Sequence, residues 1–146
     1  MSARLTLRVA LGILAVTGLV VGVWAAAAPH SFFTSFPGLG HQWVAGDGPY
    51  NEHLVRDVGD LNLALAVVTG CALVWATRPI VVAAAAAWLV YSVPHFAYHA
   101  ANLQAVASGD RVAVLASLAV PILVGAVVLV VLPAATAPAA RRGTPA

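Results

Sequence analysis

Residues 61–77, LNLALAVVTGCALVWAT, and residues 80–93, IVVAAAAAWLVYSV, are separated only by Arg78 and Pro79. Both stretches are almost entirely apolar, and so short a connection makes two helices antiparallel neighbours. The turn at Arg78-Pro79 therefore allows residues to be matched by depth. A residue that lies a given number of positions before the turn is level with one the same number of positions after it.

Apolar runs of this kind occur four times, and each is close to the roughly 20 residues that a helix needs to cross about 30 Å of hydrocarbon. The runs span residues 5–28, 55–77, 80–102 and 112–132. Only 8% of the chain is charged, against about 25% in soluble domains. The sequence therefore predicts an all-α integral membrane protein, a four-helix bundle over residues 1–132. A disordered cytoplasmic tail is predicted over residues 133–146.

The basic residues, which are all arginines, predict the orientation of the bundle. If all four runs span the membrane, one side receives Arg4, Arg8, Arg78, Arg141 and Arg142. The positive-inside rule places this side, and both termini, in the cytoplasm, with the bundle in the plasma (inner) membrane. Scattered arginines do not form the basic face of a nucleic-acid-binding protein. The expected partners are the lipid bilayer and, within it, another membrane protein or a second copy of the chain.

The first apolar run also resembles a secretory signal, because two arginines precede it and four alanines end it. The run is longer than a typical signal core and Pro29 follows it directly, which favours an uncleaved span. Its glycines, Gly12, Gly18 and Gly22, would let another helix backbone approach closely.

Residues 29–51 form a long, aromatic-rich connection that is predicted to be external. Aromatic side chains beside a span are typical of the membrane interface. Frequent proline and glycine predict an irregular lid over the outer headgroups, in which His41 is solvated and Asp47 is a turn residue. Asn51 suits the N-cap of the second spanning helix and Glu52 suits its first turn.

Depth matching across the turn brings polar residues of the second and third runs together. Asn62 is level with His95, and Asp60 lies between His95 and His99. Asp57 lies just above His99. Ionisable side chains at this depth are costly and mark functional sites. The sequence therefore predicts a His/Asp cluster near the outer leaflet.

Two histidines four residues apart on one helix can bind the same metal ion, and carboxylates of the neighbouring helix would complete the site. Zinc, iron or copper would accept these ligands. The predicted ligands are His95, His99, Asp60 and Asp57, and the residues predicted to orient them are Glu52, His53, Asn62 and Tyr98. A haem bound by His95 or His99 would need another histidine at the same depth, and His53 lies too far out.

Other interpretations of the cluster involve no metal. In one, Asp60 and Asn62 hydrogen-bond the two histidines and clamp the helices together. In another, the cluster is a proton relay or borders a pocket for an amphipathic ligand such as a lipid, quinone or sterol. The protein would then be a metal- or small-ligand-binding protein, with or without enzyme activity, or a non-catalytic accessory subunit of a larger membrane complex. The aromatic residues considered for the pocket are Trp88, Tyr91, Phe96 and Tyr98.

Two motifs carry a family resemblance: NEHLVRDVG at residues 51–59 and PHFAYH at residues 94–99. With them the chain resembles small four-span membrane proteins of actinobacteria, which are loosely comparable to the DoxX-like group. The Ala/Val-rich, lysine-free composition fits a high-GC source. The resemblance implies a four-span fold over residues 5–132, and it assigns no activity and no site residue.

Overall fold

The protein, seen in a computed structural model that describes residues 2–136, consists mainly of α-helices. The helices are α1 (Ala3–Ala27), α2 (Pro29–Ser35), α3 (Glu52–Trp75), α4 (Arg78–Ala101) and α5 (Arg111–Thr136). A hairpin of β1 (Pro37–Gly38) and β2 (His41–Gln42) follows α2, and short 3-10 helices cover Ala45–Asp47 and Leu103–Ala105. Helices α1, α3, α4 and α5 are each long and apolar enough to cross a membrane. This indicates a multi-pass membrane protein, with a long apolar helix at each of the four stretches where the sequence predicts a span.

The connection between α3 and α4 forms as the sequence predicts. Ala76 adopts the left-handed conformation, with φ 50° and ψ 24°, and ends α3. Thr77 is extended, and Pro79 lies in the first turn of α4, where its missing N–H has no intrahelical partner to lose. At the other end of α3, Asn51 Oδ1 accepts a hydrogen bond of 3.2 Å from the Leu54 backbone N–H. The predicted start of this helix is therefore confirmed.

The four long helices form a ring in which α1 packs on α3 and α5, while α4 packs on α5 and α3. The contact between α1 and α3 depends on glycine. A Cβ on Gly22 would lie 2.8 Å from Leu63 Cγ, and one on Gly18 would lie 2.8 Å from the carbonyl oxygen of Asn62. Gly59 on α3 faces the backbone of α1 in the same way. Gly12, which was expected to act likewise, has nothing within 4 Å.

One end of the ring, called here the turn end, holds the α3–α4 turn, the start of α1 and the end of α5. Arg4 Nε donates a hydrogen bond of 3.1 Å to the carbonyl oxygen of Ala135 and so joins α1 to α5. Midway along the bundle, the buried Trp88 Nε1 donates to Thr69 Oγ1 at 2.9 Å. Around them lies an apolar core whose most deeply buried members include Leu11, Leu14, Val81 and Val128.

The opposite end, called the loop end, holds residues 28–51 and the α4–α5 connection. Its small apolar cluster consists of Ala25, Phe32 and Val55. The expectation of an entirely irregular lid is wrong for residues 29–35, because this stretch contains no glycine and Pro29 is well suited to the first position of a helix. Arg56 Nη1 donates to the carbonyl oxygen of Ala26, so this side chain caps the end of α1.

Helix α5 continues through Pro133 and ends at Thr136, beyond the predicted end of the fourth span at residue 132. Proline removes one backbone donor, and spanning helices tolerate that loss when their neighbours compensate for it. The remainder of the predicted tail, residues 137–146, lies outside the described residues.

Candidate functional site

A cavity of about 970 Å³ lies inside the ring at the loop end. Its volume is at the upper end of the range for small-molecule sites, roughly 300–1,000 Å³. The wall is predominantly apolar, and Trp88 is its most deeply buried member. The apolar lining comes from every helix and includes Val21, Phe32, Phe36, Val58, Val114 and Leu118.

Helix α4 supplies four polar residues of the lining, which include Ser92 and two histidines. Ser92, His95 and His99 follow one another at intervals of three and four residues, so they share one face of the helix. Ser92 is only 2% exposed, and its Oγ has no hydrogen-bond partner within residues 2–136. His99 Nδ1 is buried and equally unpartnered. A buried polar atom without a partner is unfavourable by about 1–3 kcal/mol, so these two atoms are candidates for hydrogen bonds with a molecule bound in the cavity.

His95 lies between those two residues and contacts its neighbours through its ring. The ring stacks on Tyr91, with centroids 5.4 Å apart, and meets the edge of His99 at 4.8 Å. On the facing helix, Asn62 Nδ2 donates to the Tyr91 hydroxyl at 3.1 Å and to the Val58 carbonyl at 2.8 Å. Counting residues from the Arg78-Pro79 turn had matched Asn62 with His95. Asn62 does lie at the polar face of α4, but its partner there is Tyr91, one helical turn from His95.

The other ring nitrogen of His99 faces the segment between α2 and α3. Its Nε2 lies 3.9 Å from Asp47 Oδ2, a distance that allows an ion pair when the histidine is protonated. The sequence had suggested only a turn residue at Asp47. No spacing rule connects two residues 52 positions apart, so sequence inspection missed this partner.

Residues 36–50, called here the lid, are fastened to the α4–α5 connection. Asp110 Oδ2 lies 3.0 Å from His41 Nδ1 and accepts a hydrogen bond of 3.1 Å from Trp43 Nε1. The backbone of Gly46 approaches that of Ala105 so closely that a Cβ would overlap the carbonyl oxygen. His41, which was expected to be solvated, thus helps to hold the lid against the α4–α5 connection through Asp110.

The carboxylates predicted to join the histidines lie elsewhere. Asp57 and Asp60 are exposed; Asp57 Oδ1 is 3.5 Å from His53 Nδ1, and Asp60 has no polar partner within residues 2–136. The reason is helical rotation. Asn62 points into the bundle, and at about 100° per residue the residues two and five positions earlier lie on the opposite face.

Across residues 2–136, no three His, Cys, Asp or Glu side chains lie close enough to share a metal ion. The prediction of a metal site is therefore not supported, and the hydrogen bonds of the predicted Asp60–histidine clamp are not formed. Of the residues expected to orient the ligands, Glu52 pairs with Arg56 at 2.9 Å and Tyr98 is 54% exposed. Asn62, by contrast, contacts the polar face of α4 through its hydrogen bond to Tyr91.

The mouth of the cavity lies near the start of α3. Tyr50, Glu52 and His53 border it. Desolvation of the Tyr50 hydroxyl, together with the nearby Glu52 carboxylate, raises the pKa of Tyr50 above its usual value. The phenol is therefore neutral at physiological pH and can donate a hydrogen bond.

Comparison with known protein families, curated proteins and solved structures gives no match to this chain. The fold and the cavity by themselves define a multi-pass helical bundle with an internal, mostly apolar cavity at one end. The likeness to four-span actinobacterial proteins stays a prediction.

Proposed function

We propose that the protein binds a small, largely apolar molecule in the cavity at the loop end. The observation that carries this proposal is a cavity of about 970 Å³ with apolar walls and two unpartnered polar atoms, Ser92 Oγ and His99 Nδ1. Protein interiors are normally packed as densely as organic crystals. An empty space of this size forfeits dispersion contacts along its whole wall, and a bound molecule would restore them.

The polar groups support binding more than catalysis. An activated serine nucleophile is hydrogen-bonded to its base, whereas Ser92 Oγ has no partner within residues 2–136. Binding sites for small molecules combine apolar walls with a few convergent polar groups that fix orientation. The face of α4 that carries Ser92, His95 and His99 has this composition.

Filling the cavity tests the proposal. Val58 lines the cavity, whereas Val67, on the same helix, is 65% exposed and outside it. Extraction of the purified protein and mass spectrometry should find one small molecule in near-stoichiometric amount with the wild type and with Val67→Trp. Val58→Trp should lower that amount at least tenfold. Equal amounts in all three proteins, or no such molecule with the wild type, would contradict the proposal.

We also propose that both termini are cytoplasmic, so that the lid and the cavity lie at the outer side of the membrane. The support is the distribution of arginine, with Arg4, Arg8 and Arg78 at the turn end. Leu39, fully exposed at the lid tip, provides the test. In a Cys71→Ala background, Leu39→Cys should react in intact cells with an impermeant thiol reagent. Labelling only after the cells are broken would reverse the orientation.

A further inference from the structure

The cavity lining contains no permanently cationic side chain, and one of its two carboxylates is paired with an arginine. No arginine lines it, and the chain contains no lysine. Of the two carboxylates in the lining, Asp47 faces His99 and Glu52 pairs with Arg56. Anionic groups are usually bound by arginine, lysine or a free helix N-terminus. The N-terminus of α3 is not free, because Asn51 caps it. The lack of arginine and lysine in the lining favours a neutral occupant over an anionic one.

The unpartnered atoms specify the polar part of such an occupant. A serine hydroxyl can donate and accept one hydrogen bond at once, so Ser92 can pair with either a hydroxyl or a carbonyl oxygen. Ser92 lies on α4 between the buried Trp88 and the two histidines, and it is 2% exposed. Because Ser92 lines the cavity, a rotation of its side chain would present Oγ to an oxygen of a molecule bound there.

The openings of the cavity differ in how firmly they are closed. Above the cavity, Asp110 holds His41 and Trp43 of the lid. Between α3 and α4, the last hydrogen bond toward the loop end joins Asn62 to Tyr91. Beyond that pair, no hydrogen bond, ion pair or ring contact joins these two helices within the described part of the chain.

Leu54 and Val58 lie eight and four residues before Asn62, which contacts α4, so they share its face and give the α3 side of the gap toward α4 an apolar edge. Leu54 lines the cavity and is nevertheless 60% exposed, so the cavity wall reaches the outer surface of the bundle at this residue. Val58, one turn deeper, also lines the cavity and is partly exposed. In a bundle of spanning helices, a gap with apolar edges opens toward lipid.

From these observations we propose that the cavity takes up a neutral, membrane-dissolved molecule that carries a hydroxyl or carbonyl group. The molecule enters sideways through the gap between α3 and α4, and its oxygen hydrogen-bonds with Ser92. This inference rests on the proposed binding function and adds the chemical class of the ligand and its route of entry.

The ligand class can be tested with Trp88 as a reporter, because it lines the cavity and is 1% exposed. A protein that retains only this tryptophan, with the others replaced by phenylalanine, is reconstituted in liposomes. Two probes of equal chain length are compared, a brominated long-chain alcohol and the matching carboxylate. Bromine quenches tryptophan on contact, so quenching reports occupation of the cavity.

The alcohol should bind at least tenfold more tightly than the carboxylate. Ser92→Ala should weaken binding of the alcohol roughly three- to tenfold, the effect of one neutral hydrogen bond, and Ser108→Ala, at an exposed position, should not. Equal affinity for both probes, or an unaffected Ser92→Ala protein, would overturn the ligand class. The binding function itself is judged separately, by the extraction experiment on the protein that keeps its own tryptophans, because Val58→Trp would add a second tryptophan to the reporter. It would still stand if Val58→Trp lost the bound molecule, and equal amounts in the wild type and in Val58→Trp would contradict it.

The route of entry has its own test, which separates uptake from the bilayer and uptake from water. His41→Cys and Asp110→Cys are combined with Cys71→Ala in the Trp88 protein, and a short thiol crosslinker joins the lid to the α4–α5 connection. The rate of quenching by the alcohol should change less than twofold on crosslinking. Slowing by tenfold or more would show that the ligand passes the lid and would overturn sideways entry.

Discussion

The turn end and the loop end of this bundle are built from the same four helices, yet they differ in how they are packed. The turn end holds the apolar core and has an open pocket of about 650 Å³ beside Arg4 and Arg8, whereas the loop end surrounds a cavity of about 970 Å³. At the turn end, small residues such as Ala84 and Ala85 are buried where α4 meets its neighbours. At the loop end, Gly22 and Gly59 draw α3 against α1. The facing side of α4 carries Tyr91 and two histidines, which occupy more space than alanine. Helix α3 is thus held close to α1 and away from α4.

This difference shows how a membrane bundle can keep a cavity without losing its fold. Lipid is as apolar as leucine, so helix association gains little from the hydrophobic effect and depends on close packing. The glycine contact between α1 and α3 and the core at the turn end provide that packing. The loop end can then remain open because stability is supplied elsewhere.

The largest change in stability is expected from truncating one leucine at each end. Equal losses of stability at the two ends would contradict the difference in packing. Leu14 is fully buried in the core at the turn end, while Leu118 lines the cavity and is partly exposed. Leu14→Ala should lower the free energy of unfolding by about 2 kcal/mol, the low end of the range for buried leucine, because lipid removes most of the transfer contribution. Leu118→Ala should cost roughly 0.5 kcal/mol, since one side of Leu118 already lacks partners. Equilibrium unfolding in mixed micelles measures both, and equal losses would mean that the loop end is as tightly packed as the turn end.

Most of the fold could be predicted because spanning helices leave few alternatives. Crossing a bilayer requires about 20 consecutive apolar residues, so the helices appear as uninterrupted runs. The turn at Pro79 and the cap at Asn51 are local signals, and the structure contains both features. Residues 29–35 were harder to assign, because the glycines and prolines further along obscured one short helix.

The candidate site could be predicted only in part. Counting residues from the turn gives the depth of a residue along its helix, but it does not give the side of the helix on which that residue lies. Counting from the turn brought Asn62 to the polar face of α4, and Asn62 bonds to Tyr91 there. The same count took no account of rotation, and Asp60 lies on the exposed face of α3. The contact of Asp47 with His99 depends on how the lid folds over the bundle. No periodicity in the sequence encodes that contact.

The smallest change in global stability is expected from releasing the lid. This change concerns the loop end alone, so it tests whether the two ends behave independently. Asp110 holds His41 and Trp43, and its side chain is 18% exposed. Asp110→Ala should weaken closure of the lid by about 1–2 kcal/mol, because it removes hydrogen bonds to a charged group that is partly solvated. Backbone amides of the lid should then exchange roughly five- to thirtyfold faster. Amides at the turn end should exchange as before. Hydrogen exchange with mass spectrometry resolves the two regions.

The matched control for this prediction is Asp57→Ala, which also removes an aspartate that faces a histidine at the loop end. The His53–Asp57 pair is exposed on both sides, with side chains 88% and 56% accessible, and solvent-exposed ion pairs contribute little. Lid exchange in Asp57→Ala should therefore match that of the wild type. Faster exchange in both variants would indicate a general loosening of the loop end. Unchanged exchange in Asp110→Ala would show that the Asp110 carboxylate does not hold the lid and that the close approach of Gly46 to Ala105 is sufficient.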